Sequence, residues 1–257
     1  KNHPDVQRML YFQKAIVEGS MGLLFQCFMW DDLAKSLEGE EKKEAQMMLD
    51  LMTTVAKTYP AEMGTLAVNQ GLQVLGGYGY TEDFPLEQMA RDVRIMSIYE
   101  GTTGIHGLTL LGRGIPANNG AALQTLGKLV YADIAVAKGH ESIAKYAGVL
   151  EKELENLTKV TMHKLGFAMK GEIDVFLADS TLYMELFGLI TVAWQWLKQG
   201  HVAAAALAKG GLSKEDEAFY TDKIHTMKFF FHYEVPKALG LSTRLMDEEV
   251  LTIFDNK

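Results

Sequence analysis

Apolar residues recur every three to four positions along the start of the chain. Met9, Phe12, Ile16, Met21, Leu24, Phe28 and Leu33 share one helical stripe. That spacing predicts a long amphipathic helix from just after Pro4 to about Ser36. Asp5 lies in its first turn, where a carboxylate suits the positive end of the helix dipole. Glu38-Gly39-Glu40 is the turn, and a second helix opens on Glu40, Glu41 and Glu44. Pro60 should break or kink it, because proline lacks the N–H donor and clashes one turn back. The pattern resumes through Leu66, Val68, Leu72 and Leu75 and stops at Gly76-Gly77.

Residues 76–100 lose the period. Gly76, Gly77, Gly79 and Pro85 mark irregular backbone, with a short helix over Leu86–Arg91. Helical character returns over Thr102–Gly112 and ends at Gly112 or Gly114. Asn118-Asn119-Gly120, just after Pro116, is the best domain boundary, polar and rich in turn formers. Four further helical stretches follow, over 121–138, 141–169, 172–208 and 214–239, separated by Gly139, Gly171 and Gly210-Gly211. Ser213 with Asp216 forms a helix N-cap start. Alternating strand patterns are sparse, so the expected class is all-α, with domains at 1–116 and 117–257.

Composition narrows the function. The chain has 257 residues, 48% hydrophobic and 23% charged, ordinary for a globular protein with a real core. A net charge of −8 gives no electrostatic footprint for nucleic acid and no polybasic membrane patch. No apolar run approaches the roughly 18 residues of a membrane span. The single cysteine, Cys27, sits among Leu23, Leu24, Phe25 and Phe28, which predicts a buried, inert thiol and fits a reducing compartment, with the cytoplasm the expected location. The scattered histidines, including His225 and His232 on one helix face, have no cysteine or carboxylate cluster at ligand spacing, so no metal site is expected. Trp194, Trp196, Phe229, Phe230 and Phe231 read as core and interface. Arg91, Asp92 and Arg94 read as a structural ion-pair network. The chain opens Lys-Asn-His-Pro without an initiator Met, as if it began inside a longer protein.

Candidate chemistry concentrates in Gln73–Gly104. A helix ends in a glycine-rich turn, where backbone can approach a ligand closely. An irregular segment follows, and then a lone carboxylate, Glu100, after Ile98 and Tyr99. Each feature alone has a structural explanation. Gly76-Gly77 serves as a helix C-cap. Gly77-Tyr78-Gly79 lacks the third glycine and the preceding strand of a dinucleotide fingerprint. Glu100 could simply stabilise the next helix.

In this order and spacing, however, the residues resemble the C-terminal domain of acyl-CoA dehydrogenases. The matching sets are Gln73, Leu75, Gly76, Gly77 and Gly79; Pro85, Glu87, Arg91 and Asp92; and Ile98, Tyr99, Glu100, Gly101 and Thr102. The resemblance covers about residues 3–114. It implies a four-helix-bundle-type domain, followed here by a second helical bundle similar to the extension of 3-methylmercaptopropionyl-CoA dehydrogenase-like enzymes. It implies FAD as cofactor and an acyl-CoA substrate. Glu100 becomes the base that removes the α-proton, its backbone N–H holding the thioester carbonyl, while hydride passes to the flavin. Tyr99, Glu100 and Gly101 would meet substrate and Thr102 would meet FAD. Gln73, Gly76 and Gly77 would reach the FAD diphosphate of a neighbouring subunit, which implies a homodimer or homotetramer. An electron-transfer flavoprotein is the expected acceptor. Gly104 stands where many relatives have Gln, so that adenine-side contact is not expected. His106, close to Glu100 in sequence, could sit near the flavin, but a place in the core or on the surface is the leading expectation. An acyl-CoA oxidase and a non-catalytic helical scaffold are the alternatives, and this portion alone should not turn over.

Overall fold

The computed structural model describes residues 2–253. It is all-α, with no strand among the described residues. Helix α1 spans Pro4–Ser36, with Asp5 in the first turn. Leu37 and Glu38 connect it to α2, Gly39–Leu75, and α1 and α2 make the most extensive helix pair in the molecule. The buried stripe of α1 differs from the expected one. Met9, Phe12 and Ile16 are buried, but Leu23, Cys27 and Trp30 continue the face, while Met21 and Phe28 point outward. Phe25, beside Cys27 in sequence, is 62% exposed. Cys27 is nevertheless buried, and burial pushes its thiol up to about 11.

Pro60 does not break α2, which runs unbroken through it. The proline costs about 3 kcal/mol in a helix interior. Met52, Val55, Tyr59, Ala61 and Ala67 are buried on either side of it. The larger side chains among them contribute about 1.5–3 kcal/mol each, which outweighs the local defect.

After α2, a 3₁₀ turn over Gly76–Tyr80 leads to α3, Leu86–Arg94, and then to another 3₁₀ turn, Ile95–Ser97. Helix α4, Thr103–Thr109, continues as a π-helical turn over Leu110–Gly114. Asn118, Asn119 and Gly120 all take positive φ, a left-handed corner that ends the first half. The second half comprises α5 (Ala121–Lys138), α6 (Glu141–Met169), α7 (Ile173–Leu177), α8 (Ser180–Lys209), α9 (Lys214–Tyr233) and α10 (Lys237–Leu245). The Ser213 hydroxyl caps α9 by accepting from the Asp216 N–H at 3.0 Å. Two expected stretches are each split. The third breaks at Ala178-Asp179, and the fourth ends at Tyr233 because Pro236 cannot extend it and instead precedes α10.

Helix α8 is the hub. It packs on α1, α2, α4, α5, α6, α9 and α10. Tyr183, Phe187, Trp194 and Trp196 are fully buried on it, and Phe229, Phe230 and Phe231 of α9 join them. The Trp196 Nε1–H donates to the Ala15 carbonyl at 2.9 Å, and the Trp194 Nε1–H to Asp133 at 2.6 Å. The hydrophobic core is therefore continuous from α1 to α10.

Candidate active site

Glu100 lies in the connection between the second 3₁₀ turn and α4. Its φ is 51°, so a residue with a Cβ is held in the left-handed region. Such strain is worth roughly 1–3 kcal/mol and persists only where the surroundings enforce it. Three contacts do so. Lys57 Nζ, from mid-α2, donates to the Gly101 carbonyl at 2.7 Å. His106 Nε2 lies 3.1 Å from the Glu100 carbonyl oxygen. The Thr102 hydroxyl caps α4 by accepting from the Ile105 N–H at 3.3 Å. Gly101 has φ 91°, and a Cβ there would stand 2.8 Å from His106 Nε2, so this corner needs glycine on two counts. With its backbone pinned, the Glu100 side chain projects outward, and Ile98, Tyr99 and Thr102 are exposed beside it.

Helix α4 is held from behind. The Thr103 hydroxyl bonds Glu62 of α2. Gly107 is buried directly against the Ser180 and Thr181 backbone at the start of α8. A pocket of about 370 Å³ opens between these helices, lined by Thr58, Tyr59, Glu62, Thr103, Thr181 and Glu185. Tyr59 is buried in its wall, and its hydroxyl has no hydrogen-bond partner among the described residues. Burial raises that phenol far above its ordinary value, and the charges of Glu234 and Glu185 add to the effect.

The glycine-rich turn lies elsewhere. Gln73, Gly76 and Gly77 are exposed at the far end of α2. Gly76 has φ 60°, and nothing stands within 4 Å of a Cβ built on Gly76 or Gly77. From Lys57 to Gly76 the helix rises by about 28 Å. One chain thus gathers Tyr99, Glu100, Gly101 and Thr102 beside the middle of α2 and Gln73, Gly76 and Gly77 at its C-terminal end. The expected network around Arg91 reduces to a single pair with Glu87 at 3.2 Å, and neither Asp92 nor Arg94 makes an ion pair among the described residues. Asp92 and Arg94 are solvent-exposed, where charges gain little by pairing.

Two comparisons bear on these residues. Residues 27–115 match the family described as acyl-CoA dehydrogenase, C-terminal domain, and residues 124–253 match the acetyl-CoA dehydrogenase C-terminal-like family. The chain belongs to the acyl-CoA dehydrogenase family. It is 30% identical to the broad-specificity linear acyl-CoA dehydrogenase FadE5 of Mycobacterium tuberculosis, over 99% of this chain and 42% of that protein. It is also 30% identical to 3-methylmercaptopropionyl-CoA dehydrogenase of Ruegeria pomeroyi, over 95% of this chain and 41% of that one. The chain spans about two fifths of the length of these curated relatives. The fold is that of solved acyl-CoA dehydrogenases. Caenorhabditis elegans ACDH-11, in complex with C11-CoA, aligns with a TM-score of 0.71 at 24% identity, covering 90% of this chain and 36% of that one. An acyl-CoA dehydrogenase of Bacillus anthracis complexed with FAD gives 0.61 at 17% identity, covering 97% and 46%.

Lys57 and Glu62 were not legible as parts of this candidate site from sequence. Lys57 and Glu62 lie more than 40 positions from their partners, at separations of 44 and 41. His106 had proximity to Glu100 as its only signal, and it turns back onto the Glu100 carbonyl.

Proposed function

We propose that this chain is the base-bearing helical part of an FAD-dependent acyl-CoA dehydrogenase that converts an acyl-CoA thioester to the trans-2-enoyl-CoA. The observation that carries the reading is Glu100 itself, an outward carboxylate on a left-handed turn clamped by Lys57 and His106. Such a turn fixes the backbone from which the carboxylate projects, and so the direction in which a general base would be presented to a bound thioester. Glu100 removes the α-proton. Its backbone N–H donates no hydrogen bond among the described residues and is free to donate to the thioester carbonyl, stabilising the enolate charge. Tyr99 and Gly101 line the acyl thioester, and Thr102 borders the flavin. Bound FAD supplies the acceptor for the β-hydrogen with its electron pair.

The glycine turn suits a diphosphate. Open space in front of Gly76 and Gly77 allows backbone to approach phosphate oxygens closely, with Gln73 beside them. Its distance from Glu100 along α2 supports a flavin site shared between two subunits, hence a homodimer or homotetramer. An electron-transfer flavoprotein is the proposed acceptor. Residues 1–116 form the catalytic helical domain in this reading and 117–257 its extension.

The test is the anaerobic visible spectrum of the full-length protein with a panel of acyl-CoAs. Bleaching of the oxidised flavin band by one chain type is expected, with Glu100→Gln retaining the flavin and losing the bleaching. A Glu100→Gln protein that bleaches at the wild-type rate removes Glu100 from this role. Hydrogen peroxide formed during turnover would favour the oxidase reading.

A further inference from the structure

Away from the Glu100 loop, α1, α8 and α9 meet at a shallow cavity of about 330 Å³, lined by Gln195, Lys198, Gln199, Val202, Phe219 and Lys223 among others. Its polar lining consists mainly of donors. Gln195 is 3% exposed, and its Nε2 is buried with no hydrogen-bond partner among the described residues. A buried donor in that state is costly unless something accepts from it. Lys198 is half-buried. Its ammonium bonds the Gln26 side-chain oxygen and lies 5.1 Å from the Trp194 ring centroid. No carboxylate stands within ion-pair distance of it among the described residues. Burial lowers its pKa, and the field of Asp133 only partly opposes this. A buried cation is normally paired. This one has an amide oxygen and an indole face.

The other polar groups are already engaged. Lys223 pairs with Glu18 at 2.8 Å, and Gln199 Nε2 donates to the Glu18 carbonyl at 3.3 Å. Lys14 also pairs with Glu18 and with Asp222. With Lys223 and Lys14 already paired, one ammonium without a carboxylate remains, which suits a single negative charge. The remaining wall is apolar and open, with Val202 58% and Phe219 53% exposed.

We propose that this cavity binds a small organic monoanion, a carboxylate bearing a short apolar arm. Its head accepts from Lys198 Nζ, a turn of the Gln195 amide brings the enclosed Nε2 to the same head, and its arm lies along Val202 and Phe219. A buried donor without a partner, a half-buried ammonium without a carboxylate and an adjoining apolar wall are the three parts such a ligand needs. The inference stands independently of the dehydrogenase reading, because none of its residues belongs to the Glu100 loop or the glycine turn.

Calorimetric titration of the full-length protein with hexanoate tests it. Saturable binding is expected, with acetate, which lacks the arm, and hexanamide, which lacks the charge, at least tenfold weaker. Lys198→Met should weaken hexanoate at least tenfold. Val202→Asp, a change at an exposed position that leaves the core untouched, should do the same by placing a hydrated charge on the wall that takes the apolar arm, and it decides the matter should Lys198→Met fail to fold. No saturation with millimolar hexanoate overturns the proposal. So does hexanamide binding as tightly as hexanoate, or unchanged hexanoate affinity in the folded variants.

Discussion

Gly107→Ala measures how firmly α4 is held against α8. The methyl group would stand 2.8 Å from the Ser180 oxygen, 3.0 Å from the Ser180 carbonyl carbon and 3.1 Å from the Thr181 nitrogen. All three are backbone atoms, and the helix that owns them is anchored by the fully buried Tyr183 and Phe187. Relief must therefore come from α4 moving outward. Overpacking of this kind costs about 1–3 kcal/mol, while alanine in place of glycine in a helix returns up to about 1 kcal/mol. The net expectation is a loss of about 1–2 kcal/mol, and at roughly 2–4 °C per kcal/mol for a chain of this size a clear fall in Tm. The matched control is Gly148→Ala in α6, where nothing lies within 4 Å of the added carbon. There only the helix gain remains, and a stabilisation of about 0.5–1 kcal/mol is expected. Thermal melting followed by circular dichroism reads both. If Gly107→Ala melts at or above wild type while Gly148→Ala rises, α4 does not pack on α8 as described.

Lys57→Met keeps the aliphatic stem but removes the donor to the Gly101 carbonyl. Stability should fall by about 1 kcal/mol and kcat by about tenfold or more, equivalent to 1.4 kcal/mol of barrier, with flavin content unchanged; wild-type kcat would mean the clamp does not set the Glu100 turn. Glu234 is buried, and burial raises its carboxyl above the ordinary value, opposed by the hydrogen bond and charge of Lys237. The folded state thus holds that proton more tightly than the unfolded one, so its contribution to stability is lost as pH rises from about 4.3 through the raised value. Glu234→Gln should match or exceed wild type near neutral pH, since Lys237 is 52% exposed and can be hydrated, with the difference shrinking on acidification; a loss above about 2 kcal/mol in urea melts at neutral pH would contradict this. Ser213→Ala removes the α9 cap and should cost about 1 kcal/mol, read as a shifted urea midpoint at constant slope.

Much of the helical layout was legible because its signals are local. Pro4, Ser213 and the glycines at 139, 171 and 210 act on their own neighbours, and the helices begin and end beside them. The run from Ile98 to Thr102 was legible for another reason, since its order and spacing carry a family resemblance that periodicity does not. What escaped depends on the third dimension. Phe28 and Leu23 are both apolar, and only the way other helices, α2 foremost, pack on α1 decides that Leu23 is inside and Phe28 outside. Pro60 carries a breaking signal that packing on both sides overrides. The clamp on Glu100 joins residues from distant turns of the chain, a relation that no single window of sequence contains.

The shared core of α1 and α8 limits how such a protein can be shortened. The Asn118-Asn119-Gly120 corner looks like a seam, and a deletion beginning there would seem to yield a compact smaller enzyme. Yet the carbonyl of Ala15 is satisfied by an indole 181 positions downstream, and Gly19 faces Trp196 and Val192 so closely that no side chain fits between them. Removing the later helices would strip the first helix of its covering and leave a groove shaped for tryptophan open to water. Trimming at the visible seam would therefore unmake the portion it was meant to preserve, and lineages that carry both halves are bound to inherit them together.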